Sequence, residues 1–207
     1  RRDQGTPSGK AGQTGRPAAP THKNDPQNRR EEPPEITVGG SGFSEEDAAL
    51  VKSVAQDPLI PLITTVPSTG TRDDALAYIA RQNHRLPEGA GYSFAIADPV
   101  TDEAVGQIGL WLASIKEERA STGYWIAPHF RRRGLASSAL AVLAEWALSL
   151  EEVKRLELYV EPWNEGSWRT AGSCGFLREG LLRSWQLVGT ERKDMFIYSR
   201  IAEPVVI

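Results

Sequence analysis

Apolar positions recur along this chain with two periods, and each period marks a different kind of element. Leu135, Ala136, Ala139, Leu140, Leu143, Trp146, Ala147 and Leu150 follow one another at helical spacing, which places them on one face of an amphipathic helix running to about Leu150. A shorter helix follows Ser44-Glu45-Glu46-Asp47, with Ala48, Leu50, Val51 and Val54 as its buried side. Ser44 suits the N-cap there, and acidic residues suit the first turn. Asp57-Pro58 breaks that helix, and Thr71-Arg72-Asp73-Asp74 caps another that carries Ala75 to Ala80 and ends near Leu86-Pro87-Glu88-Gly89. Between them, Leu59 to Pro67 is apolar and reads as a loop at a substrate entrance.

Strand patterns occupy the rest. Tyr92 to Ala97, Ala104 to Trp111 and Ala120 to Ile126 form a meander, and Leu156, Leu158 and Val160 alternate within a strand from Arg155. Pro162 to Ser167 turns into a short helix, Trp168 to Ser173, stopped at Cys174-Gly175-Phe176. Gly180 to Val188 and Arg192 to Ile201 read as an antiparallel pair joined at Gly189-Thr190, and Ile36-Thr37-Val38 as a short strand. Strands on both sides of a few helices, without internal repeats, predict an α/β or α+β domain over residues 36–207. Residues 1–35 carry hardly a large apolar side chain. They are expected to remain a disordered polar tail, because they cannot bury enough surface to offset the entropy of ordering.

Composition narrows the setting. Of 207 residues, 40% are hydrophobic and six are tryptophan, enough for a substantial core. No run approaches the roughly 18 apolar residues of a membrane span. The net charge of −3 argues against general nucleic-acid binding. A single cysteine, Cys174, excludes an internal disulfide and fits a reducing, cytoplasmic location. Three histidines and that cysteine have no metal-ligand spacing.

The candidate chemistry lies in Gly123 to Ala136, G-Y-W-I-A-P-H-F-R-R-R-G-L-A. A strand stops at Pro128, and Arg131-Arg132-Arg133-Gly134 then leads directly into the long helix. First-turn N–H groups lack intrahelical partners, and the helix dipole favours an anion beside them. Three arginines at a helix start oppose that dipole unless an anion binds. Gly134 lets a ligand approach the backbone, and small Ala136 leaves room. The stretch therefore reads as a phosphate site.

With these residues placed, the chain resembles the GNAT superfamily of acyl-CoA-dependent N-acyltransferases, and within it the RimJ/RimL type. Arg131, Gly134 and Ala136 match the pyrophosphate loop Q/R-x-x-G-x-G/A. Asn164, Ser167, Cys174, Gly175 and Phe176 match a second block, and Arg192, Asp194, Met195, Tyr198 and Ser199 match the closing pair of strands. The resemblance covers about residues 36–201. It implies a mixed, strongly twisted sheet flanked by helices, with acyl-CoA in a splay between central strands. It implies acetyl-CoA as co-substrate, held by Tyr124, Trp125, Ile126 and Ala127 along the strand and by Arg131, Arg132, Arg133, Gly134, Leu135 and Ala136 at the loop. Asn164 and Ser167 are implied as both cofactor-contacting and catalytic, Ser167 protonating the departing thiolate and Asn164 bonding the pantetheine arm or the acceptor. Ile126 or Ala127 would offer an N–H to the oxyanion. The implied acceptor is a primary amine, either a protein or peptide N-terminus or a small amine, and relatives of this type can form homodimers.

Other residues read differently. Cys174 is expected to pack as a small hydrophobe, and His129 to be a solvated loop residue. Relatives carry a general-base carboxylate at the position of Ser121, so the base is open among Glu117, Glu118 and ordered water. The same gap leaves an alternative, a non-catalytic module that binds CoA or a partner.

Overall fold

A computed structural model describes residues 42–202. The predicted strand at Ile36 to Val38 and the tail at residues 1–35 lie outside the described residues. Six strands form one mixed sheet: β1 (Gly91–Ala97), β2 (Ala104–Trp111), β3 (Arg119–Ile126), β4 (Arg155–Val160), β5 (Leu177–Val188) and β6 (Glu191–Ile201). Their order is β1-β2-β3-β4-β6-β5, antiparallel throughout except for the parallel pair β3 and β4. The parallel contact joins the end of the meander to the β4–β6 half, with helix α4 (Leu135–Ser149) as the crossover. This is the α/β architecture expected from the sequence.

Two apolar clusters cover the two faces of the sheet. On one, Leu140, Leu143, Ala144 and Ala147 of α4 pack against Ile96, Val105, Ile108, Leu156 and Val160. On the other, helices α1 (Ala48–Val54) and α3 (Arg72–His84) bring Val51, Val54, Ala75, Tyr78 and Ile79 onto Ala95, Trp125 and Ala127. Alternation along β3 explains the division, since Trp125 faces α3 while its neighbour Ile126 belongs to the α4 face.

Local chemistry sets most boundaries. The Asp47 carboxylate accepts from the Ser44 N–H at 2.6 Å and from its hydroxyl at 3.0 Å, fixing the entry to α1 through a single 3-10 turn. The Thr71 hydroxyl accepts from the Asp74 N–H and starts α3. Several boundaries differ from expectation, β5 starting at Leu177 and not at Gly180, and two of them have a clear local cause. The segment Leu59 to Pro67 is not wholly a loop, because Ile60–Ile63 forms a helical turn, α2. Asp57 accepts from the N–H groups of Leu59 and Ile60, both at 2.9 Å, and Pro61 is tolerated in a first turn. The short helix α5 spans Glu165–Ser173, beginning three residues before the expected Trp168, because Asn164 caps it from further upstream.

Candidate active site

The hydrogen-bonding of β3 creates the site. Its parallel register with β4 covers only Arg119–Thr122 against Arg155–Leu158, and beyond Thr122 the two strands separate. The Ala127 N–H donates to Val105 O at 2.9 Å. Antiparallel pairing alternates, so Trp125 and Ala127 bond toward β2, whereas Tyr124 and Ile126 turn their N–H and C=O groups into the gap. This corrects one expectation: Ile126 can offer an N–H there, but that of Ala127 is already committed to β2.

A cleft of about 490 Å³ follows the gap toward α4. Tyr124, Trp125 and Ile126 form one wall, Arg131, Arg132 and the turn Gly134 to Ser137 its far end, and Asn164 and Ser167 its near end. Gly134 is the N-cap of α4 with φ +80°, a left-handed conformation that favours glycine, and a Cβ built there would meet nothing within 4 Å. Open space thus lies beside the first-turn N–H groups of α4. Coenzyme A needs such features, a cradle for its diphosphate and an open strand edge for its pantetheine amides. The described residues fit it.

The three arginines have separate fates. Arg131 donates from Nε to Ile126 O at 3.0 Å and from Nη2 to the Asp57 carboxylate at 2.8 Å. Arg133 pairs with Asp98 at 2.6 Å and lies over the Phe130 ring, away from the cleft. Arg132 alone has no ion pair among the described residues, and it lines the cleft from a left-handed backbone position at φ 62°. Unpaired charge across Arg131 to Arg133 is therefore a weaker argument for an anion than the sequence suggests, because Asp57 and Asp98 neutralise two of the three. Neither Arg133 nor Ala127 joins the cleft lining. Asp57 is held below the usual carboxylate range: burial raises it, but the Ile60 and Leu59 N–H groups and Arg131 outweigh that.

A second cleft of about 410 Å³ opens on the α3 side of the gap and shares Tyr124, Trp125, Asn164 and Ser167 with the first. Apolar side chains such as Leu62, Leu158, Val160 and Met195 share its wall with Gln82, Gln107 and Thr65, which belong to a connected polar network. The Trp125 indole N–H donates to the Tyr78 hydroxyl at 3.3 Å, which bonds Gln107 Oε1 at 3.4 Å. Gln107 Nε2 reaches Ser93 at 2.9 Å and Gln82 Oε1 at 3.4 Å, and Gln82 Nε2 donates to Thr65 at 3.3 Å. Burial pushes the Tyr78 phenol up to about 12, against the lowering effect of the Trp125 hydrogen bond. Tyr78 thus stays a neutral hydrogen-bonding link at any physiological pH. Sequence reasoning missed this network and the carboxylate of Glu161 that lines the same cleft. Their residues come from separate segments and carry no shared spacing.

Where the clefts meet, Asn164 Oδ1 accepts from the Ser167 N–H at 3.2 Å, a capping role, which leaves its NH₂ group available. The Tyr124 hydroxyl lies 3.4 Å from Ser167 O. Cys174 is buried with its thiol donating to Ser137 O at 3.3 Å, and burial pushes its pKa up, as suits packing and not nucleophilic attack. His129, Glu117 and Glu118 are exposed and line neither cleft. Ser121 pairs in register with Glu157, but that carboxylate is taken by Arg119, Arg155 and the Tyr159 hydroxyl.

Comparison with known proteins identifies the family and the fold. The family model described as an acetyltransferase (GNAT) domain matches residues 41–177, and the chain belongs to that family. The uncharacterized N-acetyltransferase p20 of Bacillus licheniformis is 27% identical over 154 residues, covering 74% of this chain and 86% of that protein. The structure of Mycobacterium smegmatis RimJ in complex with CoA-disulfide superposes with a TM-score of 0.68 at 22% identity, over 82% of this chain and 84% of that one. The acetyltransferase MccE, which confers microcin C7 self immunity, was solved with acetyl-CoA and AMP; it superposes with a TM-score of 0.67 at 18% identity, over 79% and 91% of the two chains.

Proposed function

We propose that this GNAT-family chain transfers acetyl from acetyl-CoA directly to a primary amine, a peptide or protein N-terminus or a small amine, within a ternary complex. One observation carries the reading: two clefts, one ending on a helix N-terminus and one whose wall mixes apolar side chains with amides, meet at Asn164 and Ser167. A thioester reaching through the first and an amine through the second would come together there without a covalent enzyme intermediate.

Each residue then has a task. The first-turn N–H groups of α4 and the Arg132 guanidinium hold the diphosphate, while the Tyr124 and Ile126 edge pairs with the pantetheine amides. Arg131 shields the same anion while keeping its own partners. The Ile126 N–H faces the developing oxyanion, and a donor aimed at that charge is worth most in a site from which water is excluded. An amine is mostly ammonium at neutral pH and must lose a proton to attack. We assign that proton to Glu161, the one carboxylate among the described residues lining the acceptor cleft. Ser167 passes to the departing thiolate of CoA the proton that the attacking nitrogen gives up as the amide forms, so its own hydroxyl is restored.

The second reading, a domain that binds coenzyme A without turnover, is favoured by Ser121 and by the commitment of Glu157 to its arginines. Incubation of acetyl-CoA with a panel of amines separates the two. Amine-dependent release of free CoA thiol, with the acetylated amine seen by mass, supports the enzyme. Tight acetyl-CoA binding with no release for any amine supports the module.

A further inference from the structure

Arg85 is the one cation among the described residues lining the acceptor cleft, and it is held in place with its charge unspent. It sits at the C-cap of α3, donates from Nε to Gln82 Oε1 at 2.8 Å, and rests its guanidinium 5.9 Å from the centre of the Trp111 ring. It forms no ion pair among the described residues. The Trp111 ring in turn lies across two glycines: a Cβ at Gly109 would come within 3.0 Å of it, and one at Gly123 within 3.1 Å. Gln82 itself is buried and tied to Gln107 and Thr65. The sheet surface, the indole and the amide network thus orient a guanidinium whose terminal N–H groups have no carboxylate partner within the described chain.

The same cleft carries its single carboxylate, Glu161, just beyond the end of β4. Trp111 stands on β2, so the two ends are separated by the width of β3 and the gap. Two strand spacings of about 4.8 Å lie across the sheet, and along it Glu161 stands four residues of about 3.3 Å beyond Glu157, which is level with Trp111 through Ser121, so the backbones are on the order of 16 Å apart before the two side chains reach inward. The cleft therefore has a negative end near Asn164 and Ser167 and a positive end near Trp111, with neutral amides between. A polyamine, positive along its length, meets the wrong charge at Arg85. A free α-amino acid is too short to reach both ends, whereas two extended residues span about 7 Å before a side chain or terminal carboxylate is added.

We propose that Arg85 is the specificity-determining residue of the acceptor site, binding a carboxylate that lies two or three residues from the amine of a short or N-terminal peptide. This rests on the acetyl-transfer reading above and adds the chemical class of the acceptor. The anion meets a preformed planar donor pair, the geometry in which arginine outperforms lysine.

The test compares glycine, Gly-Gly and Gly-Gly-Gly, each as the free acid and as the carboxamide, by acetyl-CoA-dependent thiol release. With the unaltered protein, kcat/KM for the di- or tripeptide acid should exceed that of its carboxamide by roughly 10- to 100-fold, the range of a hydrogen bond between charged groups. Glycine should show no such preference. Arg85→Gln should remove the preference by lowering only the acid's kcat/KM, with carboxamide turnover and acetyl-CoA binding unchanged. Equal use of acid and carboxamide by the unaltered protein, or an equal loss of both in Arg85→Gln, overturns the proposal. If no amine releases thiol, calorimetric titration of Gly-Gly into CoA-loaded protein decides separately. Binding that exceeds the carboxamide's and is lost in Arg85→Gln sustains the carboxylate site although acetyl transfer fails, and absence of that difference overturns it.

Discussion

The two clefts meet at the same pair of residues but are built in opposite ways. The cleft on the α4 side takes most of its wall from one run of chain, Tyr124 to Ser137, in which strand, turn and helix start follow one another. The cleft on the α3 side draws on α2, α3, β2, β3, β4 and both strands of the last hairpin. A ligand common to a whole family can be met by a contiguous backbone motif, because N–H groups and a dipole recognise phosphate whatever the side chains are. An acceptor that differs between proteins has to be recognised by side chains, and those are easily drawn from scattered positions. On the proposed reading the first cleft is therefore the more stereotyped, and the second holds the specificity.

The largest expected effect breaks the first cleft alone. Gly134→Glu places a carboxylate in the open space beside the α4 N-terminus and forces a side chain onto a backbone at φ +80°. Acetyl-CoA affinity, read by calorimetry, should fall by about 100-fold or more, through like-charge repulsion together with backbone strain of about 1 kcal/mol. Retained affinity would remove the diphosphate from this turn.

Next comes the junction. Ser167→Ala and Glu161→Gln should each lower kcat by roughly 100-fold, the usual scale for loss of a general acid or base, with acetyl-CoA binding intact. A rise in KM alone would make either residue a contact and not a proton carrier. The arginines offer a finer contrast. Arg132→Gln should weaken acetyl-CoA by about 10-fold, as loss of one charged hydrogen-bonding partner does, whereas Arg133→Gln should leave it within about 2-fold because that side chain is engaged by Asp98 outside the cleft. Equal effects would show that the loop acts as a diffuse basic patch.

The smallest effect falls on the link between the clefts. Asp57 accepts from the first N–H groups of α2, which borders both clefts, and pairs with Arg131 of the loop before α4. Asp57→Asn should cost about 1 kcal/mol of stability, the scale of a helix cap, visible as a lower midpoint in thermal unfolding. The sign with pH follows from its lowered pKa. The contribution is present above the ordinary aspartate value of 3.8 and is lost as pH falls through the lower folded value. The stability gap between the native chain and Asp57→Asn should therefore close only in acid below about pH 4.

Much of the architecture was legible in the chain itself. The strand Arg155–Val160 and the start of α4 at Leu135 stand where periodicity and the glycine before the helix put them. Asn164 is at once the cap of α5 and part of a cleft wall, because the cap uses only its carbonyl oxygen. The start of α5 was displaced because the capping side chain of Asn164 acts four residues ahead of the apolar Trp168, where periodicity has no signal.

What the sequence determined by itself was the local part: which segments are helix or strand, and the strand-turn-helix run that sets the first-turn N–H groups of α4 at one end of a cleft. These follow from interactions between near neighbours in the chain, so their spacing is written into it. Only the tertiary structure decided that β3 and β4 part after Thr122, that Arg131 and Arg133 answer to Asp57 and Asp98, and that Arg85 and Glu161 face one cleft. The partners in those contacts stand far apart in sequence. Strand order and packing bring them together, and no residue spacing records it.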